Sequence, residues 1–578
     1  MKKKIRKIPF VLVIFGIIFG LGLDWNLRDI TLECESDPEA GFVILPHANA
    51  GYLTRTVHDR MSILGASNNS FPLFKNGVEV YTTENGFFSI FVNIADGENI
   101  FVFQNGNYVH ELVVNRVEPT PTPPVRREYL QNAYGIAMSP SLSRFYNGDD
   151  DNNHGTPLAR GTSFRIVAEY DDMYIIHDGS YVFTNRVERL PAPLEEFYVG
   201  DFEVYTEEKY TYVLFELSES YLPPYTINVD DDGLSVEIIL YHLSGEMNNF
   251  SFRLEKPIIG HYVTFVDNNQ MKVGFKHPPT RLEDTLVMLD AGHGGADPGA
   301  LGPLGRMGPV EYDFNLIVMQ LTAEHLQEHG VNVLQVYTCS EVTFPALERM
   351  RYFERTEYSE HYPNLPDLLI SIHANSMPVH NNFRSEEGPL MFYTLDQSER
   401  AANKILSHVA QRLYNERGVG KPAESSDSSE NNWSEHVIRR NFAMARHTAG
   451  SSMLFEMGFM CNPVDYERML ESDYLALIAE SLSEGILAYL NSTLRNPVAH
   501  EASAPDDIHE NNNEENNEVY ENNETDSDHS ENYNSNSNDK NKDNSGSRMW
   551  WLIIAGASVI IIGAGVGLGY LYVKKNNK

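Results

Sequence analysis

The 578-residue chain has only three cysteines, Cys34, Cys339 and Cys461. Thiols so few and so far apart supply neither a disulfide framework nor a cysteine-based zinc knuckle. Positive charge is also scarce: 44 Lys plus Arg stand against 81 Asp plus Glu, a formal net charge of -37. A nucleic-acid binder needs a basic footprint to neutralise phosphates, so that class is excluded and no nucleic-acid partner is expected. The remainder is globular on average, with 42% hydrophobic and 22% charged residues. Such a length exceeds one ordinary core and implies several units.

Long apolar runs occur only at the two ends. Basic Met1–Lys7 precedes the apolar stretch 8–23. Residues 1–23 therefore read as a signal sequence or an N-terminal anchor. Residues 549–573 carry no charge, hold Trp550, Trp551, Tyr570 and Tyr572 near their ends, and precede Lys574, Lys575 and Lys578. That pattern predicts a C-terminal transmembrane helix with a cytoplasmic basic tail over 574–578. Basic flanks at both ends place everything between them outside the membrane. Residues 498–548, rich in Asn and acidic side chains, are too poor in aliphatic groups to fold and read as a disordered tether.

Three small β-rich modules are expected next. Residues 29–117 alternate apolar and polar side chains like a β-sandwich, with Asn85-Gly86 and Asp96-Gly97 read as hairpin turns. A Pro-rich linker, 118–127, separates it from an SH3-like β module over 128–192 and a β-rich module over 194–280. None carries a catalytic cluster, so binding or spacing is their default role.

From Asp284 strands alternate with helices. Apolar strand runs occur at Leu286–Asp290, Val331–Thr338, Leu368–Ala374, Pro389–Thr394 and Ser451–Phe459. Helical patterns start at Val310, span Ser398–Arg417 and close near Tyr474–Leu490. This predicts an α/β/α unit over 284–494 with a mostly parallel central sheet covered on both faces. Ligands in such sheets sit at the carboxyl ends of the strands.

The residues at those ends form a chemical set. His293 follows the first strand, Glu311 opens the first helix, His373 ends the third strand and Glu456 lies in the last. Two His and a Glu from three elements, with a second Glu at the same rim, match a hydrolytic zinc site of three protein ligands plus water. Each residue has a duller reading alone: His373 as a core histidine, Glu311 as a helix-dipole partner. Glu456 among apolar neighbours is harder to dismiss, because a buried carboxylate is costly and its pKa rises toward that of a general base. His325, Glu328 and His329 spell H-x-x-E-H, but at the far end of the first helix, away from this rim.

The run DAGHGGADPGALG…VEYDFNL…LLISIHANS…LFEMGFMCN resembles the zinc-dependent N-acetylmuramoyl-L-alanine amidases of the type 3 (AmiC-like) family. The resemblance implies a Zn²⁺ cofactor, peptidoglycan as substrate, and cleavage of the amide between muramic acid and L-alanine. It further implies that His293, Glu311 and His373 hold the zinc and that Glu456 is the catalytic carboxylate. Two departures fall outside the ligand set. Thr338-Cys339-Ser340-Glu341-Val342 lacks the family's Arg and Asp, and Ser451-Ser452 stands where a Pro is usual. The polar stretch 421–435 reads as a lip or lid over the cleft. The resulting expectation is a bacterial cell-membrane protein, single-pass or double-pass, whose catalytic and β units face the cell wall. The β modules would then be free to contact wall polymers. Two alternatives are an inactive wall-binding or adhesion protein and a zinc peptidase acting on stem peptides.

Overall fold

The unbroken apolar runs between Leu286 and Phe459 assemble into a six-stranded mixed sheet. It is seen in a computed structural model that describes residues 41–46, 54–119, 127–139, 141–146, 155–230, 233–266, 269–295, 297–336, 365–420 and 433–495. Numbering this unit alone, the elements are β1 (Leu286–Ala291), α1 (Glu311–Glu328), β2 (Asn332–Gln335), β3 (Leu368–Asn375) and β4 (Leu390–Tyr393). They continue with α2 (Asp396–Arg417), β5 (Val437–Arg439), β6 (Ser451–Phe459), α3 (Pro463–Met469) and α4 (Ser472–Arg495). The strand order is β2-β1-β3-β6-β4-β5. β1, β2, β3 and β6 run parallel, whereas β4 is antiparallel to β6 and parallel to β5.

Central strands buried on both faces explain the lack of polar alternation. Leu368, Ile370, Ile372 and Ala374 of β3 enter one core with Val318 and Ala323 of α1, Ile405 and Val409 of α2, and Ile478 and Leu482 of α4. The opposite face, among the described residues, is covered by the irregular segment around Phe442–Ala445, which packs on Met288, Leu369, Phe392 and Leu454. Residues 337–364, between β2 and β3, lie outside the described residues. Ser451 and Ser452 tie the start of β6 to the neighbouring helices. Ser452 N donates to Ser398 Oγ at 2.9 Å, and Ser451 Oγ lies 3.1 Å from the Tyr489 hydroxyl.

Residues 43–116 form a three-stranded and a five-stranded sheet face to face. The turns at Asn85-Gly86 and Asp96-Gly97 are not hairpins. Each joins a strand of one sheet to a strand of the other, so the chain crosses the sandwich there. The tight hairpins use Asn76-Gly77, with φ of 50° and 77°, and Gly106-Asn107. Left-handed φ at both positions of Asn76-Gly77 suits the twist of the flanking strands.

The five-stranded sheet of residues 127–189 and the two sheets of residues 199–276 share one core, with Phe164 and Ile166 packed among Phe197, Phe215 and Ile238. Arg144, fully buried, pairs with Asp178 at 2.7 Å and donates to the Tyr225 carbonyl at 2.7 Å, joining the two parts. This β region docks on the α/β unit through buried Lys276, which pairs with Asp367 at 2.7 Å and donates to the Leu365 carbonyl.

The expected membrane location is corrected. Among the described residues no helix is long and apolar enough to cross a membrane. The two longest helices are amphipathic and use their polar faces for ion pairs: Arg412 of α2 meets Glu480 and Glu484 of α4 at 2.8 and 2.5 Å. Segments 1–23, 498–548 and 549–578 lie outside the described residues, as do most of the polar stretch 421–435 and all of 338–342.

Candidate metal centre

Three elements deliver the site, all at the carboxyl-end rim of the sheet. β1 runs into a Gly-rich loop carrying His293, β3 carries His373 near its carboxyl end, and α1 begins at Glu311. Asp313, two residues further on, accepts the Val310 amide at 2.9 Å and fixes where the helix starts. Glu311 thereby enters the rim with only 4% of its surface exposed.

The donor atoms converge. Glu311 Oε1 lies 3.0 Å from His293 Nε2 and 2.9 Å from His373 Nδ1. Its orientation is set by backbone amides: Ala374 N donates to Oε1 at 3.2 Å and Ala300 N to Oε2 at 2.7 Å. The imidazole planes stand nearly perpendicular with centroids 4.9 Å apart. One donor atom from each of the three residues lies within 4.8 Å of the others.

Close approach demands glycine at two places. A Cβ on Gly292 would sit 2.2 Å from the His373 ring, and one on Gly299 would sit 2.5 Å from Glu311 Oε2. Gly299 also has a φ of 71°. His293 itself has a φ of 67°, a left-handed conformation that a side chain with a Cβ adopts at a cost. The Gly-rich loop holds that strain in place to present the ring.

Electrostatics follow from burial and proximity. Burial disfavours the charged form of His293, but the Glu311 carboxylate and then Asp297 outweigh it and push its pKa up to about 10. Burial likewise opposes ionisation of Glu311, and the two imidazoles overcome this and hold its carboxyl far below the usual range. Glu456 goes the other way. Its burial, reinforced by the nearby charge of Glu311 and offset in part by His293, raises its pKa well above the ordinary value. Glu456 is the register partner of His373 on the adjacent strand, and its Oε2 is buried with no hydrogen-bond partner among the described residues.

Two imidazoles and a carboxylate suit Zn²⁺, and one oxygen of the second carboxylate has no donor among the described residues. The residues present therefore fit the metal that the sequence implies. His325 and His329 stay at the far end of α1, where His329 Nδ1 lies 2.8 Å from the His325 carbonyl.

Two contributors were not singled out from the sequence. Asp297 Oδ2 lies 2.9 Å from His293 Nδ1, while its Oδ1 accepts the Gly299 amide at 3.1 Å. Asn315, one turn after Glu311, donates to the Gly292 carbonyl at 3.1 Å. The spacing was a usable signal: Asp297 follows His293 by four residues in a loop closed by Pro298-Gly299.

With this geometry in hand, the comparisons with known proteins are specific. Residues 287–488 match the family model described as N-acetylmuramoyl-L-alanine amidase. An uncharacterised Bacillus subtilis protein, YqiI, is 28% identical over 208 residues, covering 36% of this chain and 86% of that protein. The germination-specific N-acetylmuramoyl-L-alanine amidase of the same species is 26% identical over 217 residues, covering 36% of this chain and 81% of that protein. Among solved structures, the amidase AmiC2 of Nostoc punctiforme is 26% identical with a TM-score of 0.28, covering 36% of this chain and 98% of that one. The α/β unit behind the β-rich region, with both histidines and both glutamates inside the matched span, is thus a domain of the N-acetylmuramoyl-L-alanine amidase family.

Proposed function

We propose that the chain is a zinc-dependent peptidoglycan hydrolase that cleaves the amide between N-acetylmuramic acid and L-alanine. The observation that carries this reading is the convergence of His293 Nε2, His373 Nδ1 and Glu311 Oε1 beside Glu456, within an amidase-family domain. His293, Glu311 and His373 would hold the metal. The chemistry that bound zinc supplies is polarisation of the scissile carbonyl and a lowered pKa for water at the site.

The chain's own residues do the rest. Asp297 accepts the Nδ1 proton of His293 and so leaves Nε2 free to ligate. Glu456 acts on protons. Its carboxylate takes a proton from the attacking water and returns it to the L-alanine nitrogen as the carbonyl–nitrogen bond breaks, since an amine leaves badly unless protonated. The raised pKa, caused by burial and the nearby Glu311 charge, supports this role, because a carboxylate of higher pKa is a stronger base. The β-rich units preceding the domain serve as spacers or wall contacts in this reading.

The test is mass spectrometry of muropeptides digested by the full chain, with and without a chelator, and by Glu456→Gln. Expected are lactyl-amide products that vanish on chelation, and a variant that keeps its zinc but loses roughly 10²–10⁴ in turnover. Cuts between stem-peptide residues would make it a peptidase instead. No release by the parent protein would make it a binder.

A further inference from the structure

The segment Ser376–Pro389 begins and ends beside the proposed catalytic carboxylate. It leaves β3 immediately after His373 and Asn375, and it re-enters the sheet at Leu390. Glu456 is the register partner of His373 on one side and of Leu390 on the other. The segment therefore starts and finishes on the rim that carries the site, and it has no helix or strand of its own. Fourteen residues of irregular chain cost considerable conformational entropy to order.

Its C-terminal end is held from within the α/β domain, where the Glu386 carbonyl accepts from Asn462 Nδ2 at 2.8 Å and Gly388 N donates to Asp465 Oδ2 at 2.9 Å, but its middle is held by the N-terminal sandwich, more than 300 residues earlier in the chain. Ser62, fully buried, makes three bonds to the segment. Its amide donates to the Val379 carbonyl at 2.6 Å, its hydroxyl donates to the Asn381 carbonyl at 2.6 Å, and the same oxygen accepts the Phe383 amide at 3.2 Å. Phe383 is buried with Leu64, two residues on from Ser62, and with Phe459 at the end of β6. His58 stacks on His380 with centroids 4.1 Å apart. These contacts fall along the middle of the segment, between its two attachments to the sheet.

We propose that Ser62 is a positioning residue for the amidase site: the sandwich fixes the middle of Ser376–Pro389 as one wall of the substrate cleft. This deepens the proposed function and rests on it. A polymeric substrate must be gripped on both sides of the scissile amide, so a wall that moves weakens binding while leaving the ligand set and Glu456 in place.

The test compares Ser62→Ala with Ser89→Ala in the full, zinc-loaded chain. Ser62→Ala strands the Asn381 carbonyl and the Phe383 amide without their hydroxyl partner. Ser89, on the neighbouring strand opposite Leu64, is equally interior, and its hydroxyl has no hydrogen-bond partner, so it is the matched control. Expected for Ser62→Ala is a rise in KM for muropeptides of about 5–10-fold, the scale of lost buried hydrogen bonds. kcat should stay within about twofold and zinc content should not change. Amide deuterium uptake over residues 377–385 should quicken, and Ser89→Ala should match the parent throughout. Unchanged KM, unchanged uptake, or a joint loss of kcat, zinc and KM would each overturn the proposal. If the parent releases no lactyl-amide product, the functional reading fails on its own. The uptake comparison then still decides whether Ser62 holds the segment.

Discussion

Replacing Asp297 with Asn isolates how the protein sets a tautomer. His293 has Nε2 3.0 Å from Glu311 and Nδ1 2.9 Å from Asp297 Oδ2. An ionised carboxylate is acceptor only, so it demands the proton on Nδ1 and leaves the Nε2 lone pair for a metal. An asparagine offers one acceptor oxygen, and Asp297 Oδ1 already accepts the Gly299 amide at 3.1 Å. If the oxygen stays with Gly299, the new NH₂ faces Nδ1, donor against donor. The imidazole then moves its proton to Nε2 and blocks the ligating atom. Losing such a partner weakens metal binding by about 10–100-fold, or about 1.4–2.7 kcal/mol. The fold should barely notice, because the Asp297 side chain is 40% exposed and its pairing is screened. The assay is competition for zinc against a chromophoric chelator, beside a thermal melt of the metal-free protein. Equal zinc affinity in parent and variant would refute the tautomer argument. A large loss of metal-free stability would show that Asp297 serves the loop instead.

Two shorter predictions probe geometry and pH. Gly292→Ala should abolish stoichiometric zinc binding while leaving the far-ultraviolet circular dichroism intact, because the new methyl would stand 2.2 Å from the His373 ring; full zinc occupancy would show that the ring has room to move. His261, whose amide donates to the Thr448 carbonyl at 2.7 Å, is buried where the β region meets the α/β domain. Burial, opposed in part by the Gln397 side chain, pushes its pKa down to about 4. A depressed folded pKa means that the neutral form is favoured on folding. Its contribution is therefore fully present above about 6.5 and is lost as pH falls toward 4, up to about 3 kcal/mol. His261→Gln should flatten the stability–pH curve across that window in urea melts, and an unchanged slope would remove His261 as a cause.

The α/β domain was legible because its signals are local and redundant. Leu368–Ala374 reads as a strand from its apolar run, one residue short of the observed Leu368–Asn375, and the site histidine falls near its end, where open α/β sheets bind ligands. α1 and α4 announce themselves by periodicity and β6 by its apolar run. The small strand Val437–Arg439 escaped, being three residues long, and α3 escaped although Asn462 caps it by accepting the Val464 amide at 3.0 Å. The sandwich reads as β from its alternation, but its turns do not reveal which sheet the following strand joins. Asn85-Gly86 and Asn76-Gly77 carry the same dipeptide, and only the sheet that each flanking strand joins separates a hairpin from a crossing. Long-range contacts left no local trace. Nothing near Ser62 signals a bond to Asn381, nor near Lys276 a bond to Asp367, because the pairing is created by docking of units distant in sequence.

Glu456 bears on the choice between a hydrolase and an inactive binder. A carboxylate 8% exposed, with a buried oxygen that accepts no hydrogen bond among the described residues, is a liability that folding must offset. Glutamine of the same shape would avoid the charge, and methionine would remove the polar atoms altogether. The alternating β6 residues Met453, Phe455 and Met457 are apolar and pack in the helix-side cluster without polar demand. A domain that only bound peptidoglycan would gain from the same solution at 456. Local rules are broken at a cost chiefly where function requires it. Here the break stands at the register partner of His373, where a proton acceptor is useful only if water is being activated beside it. The unpaired carboxylate is therefore the feature that favours turnover over mere attachment.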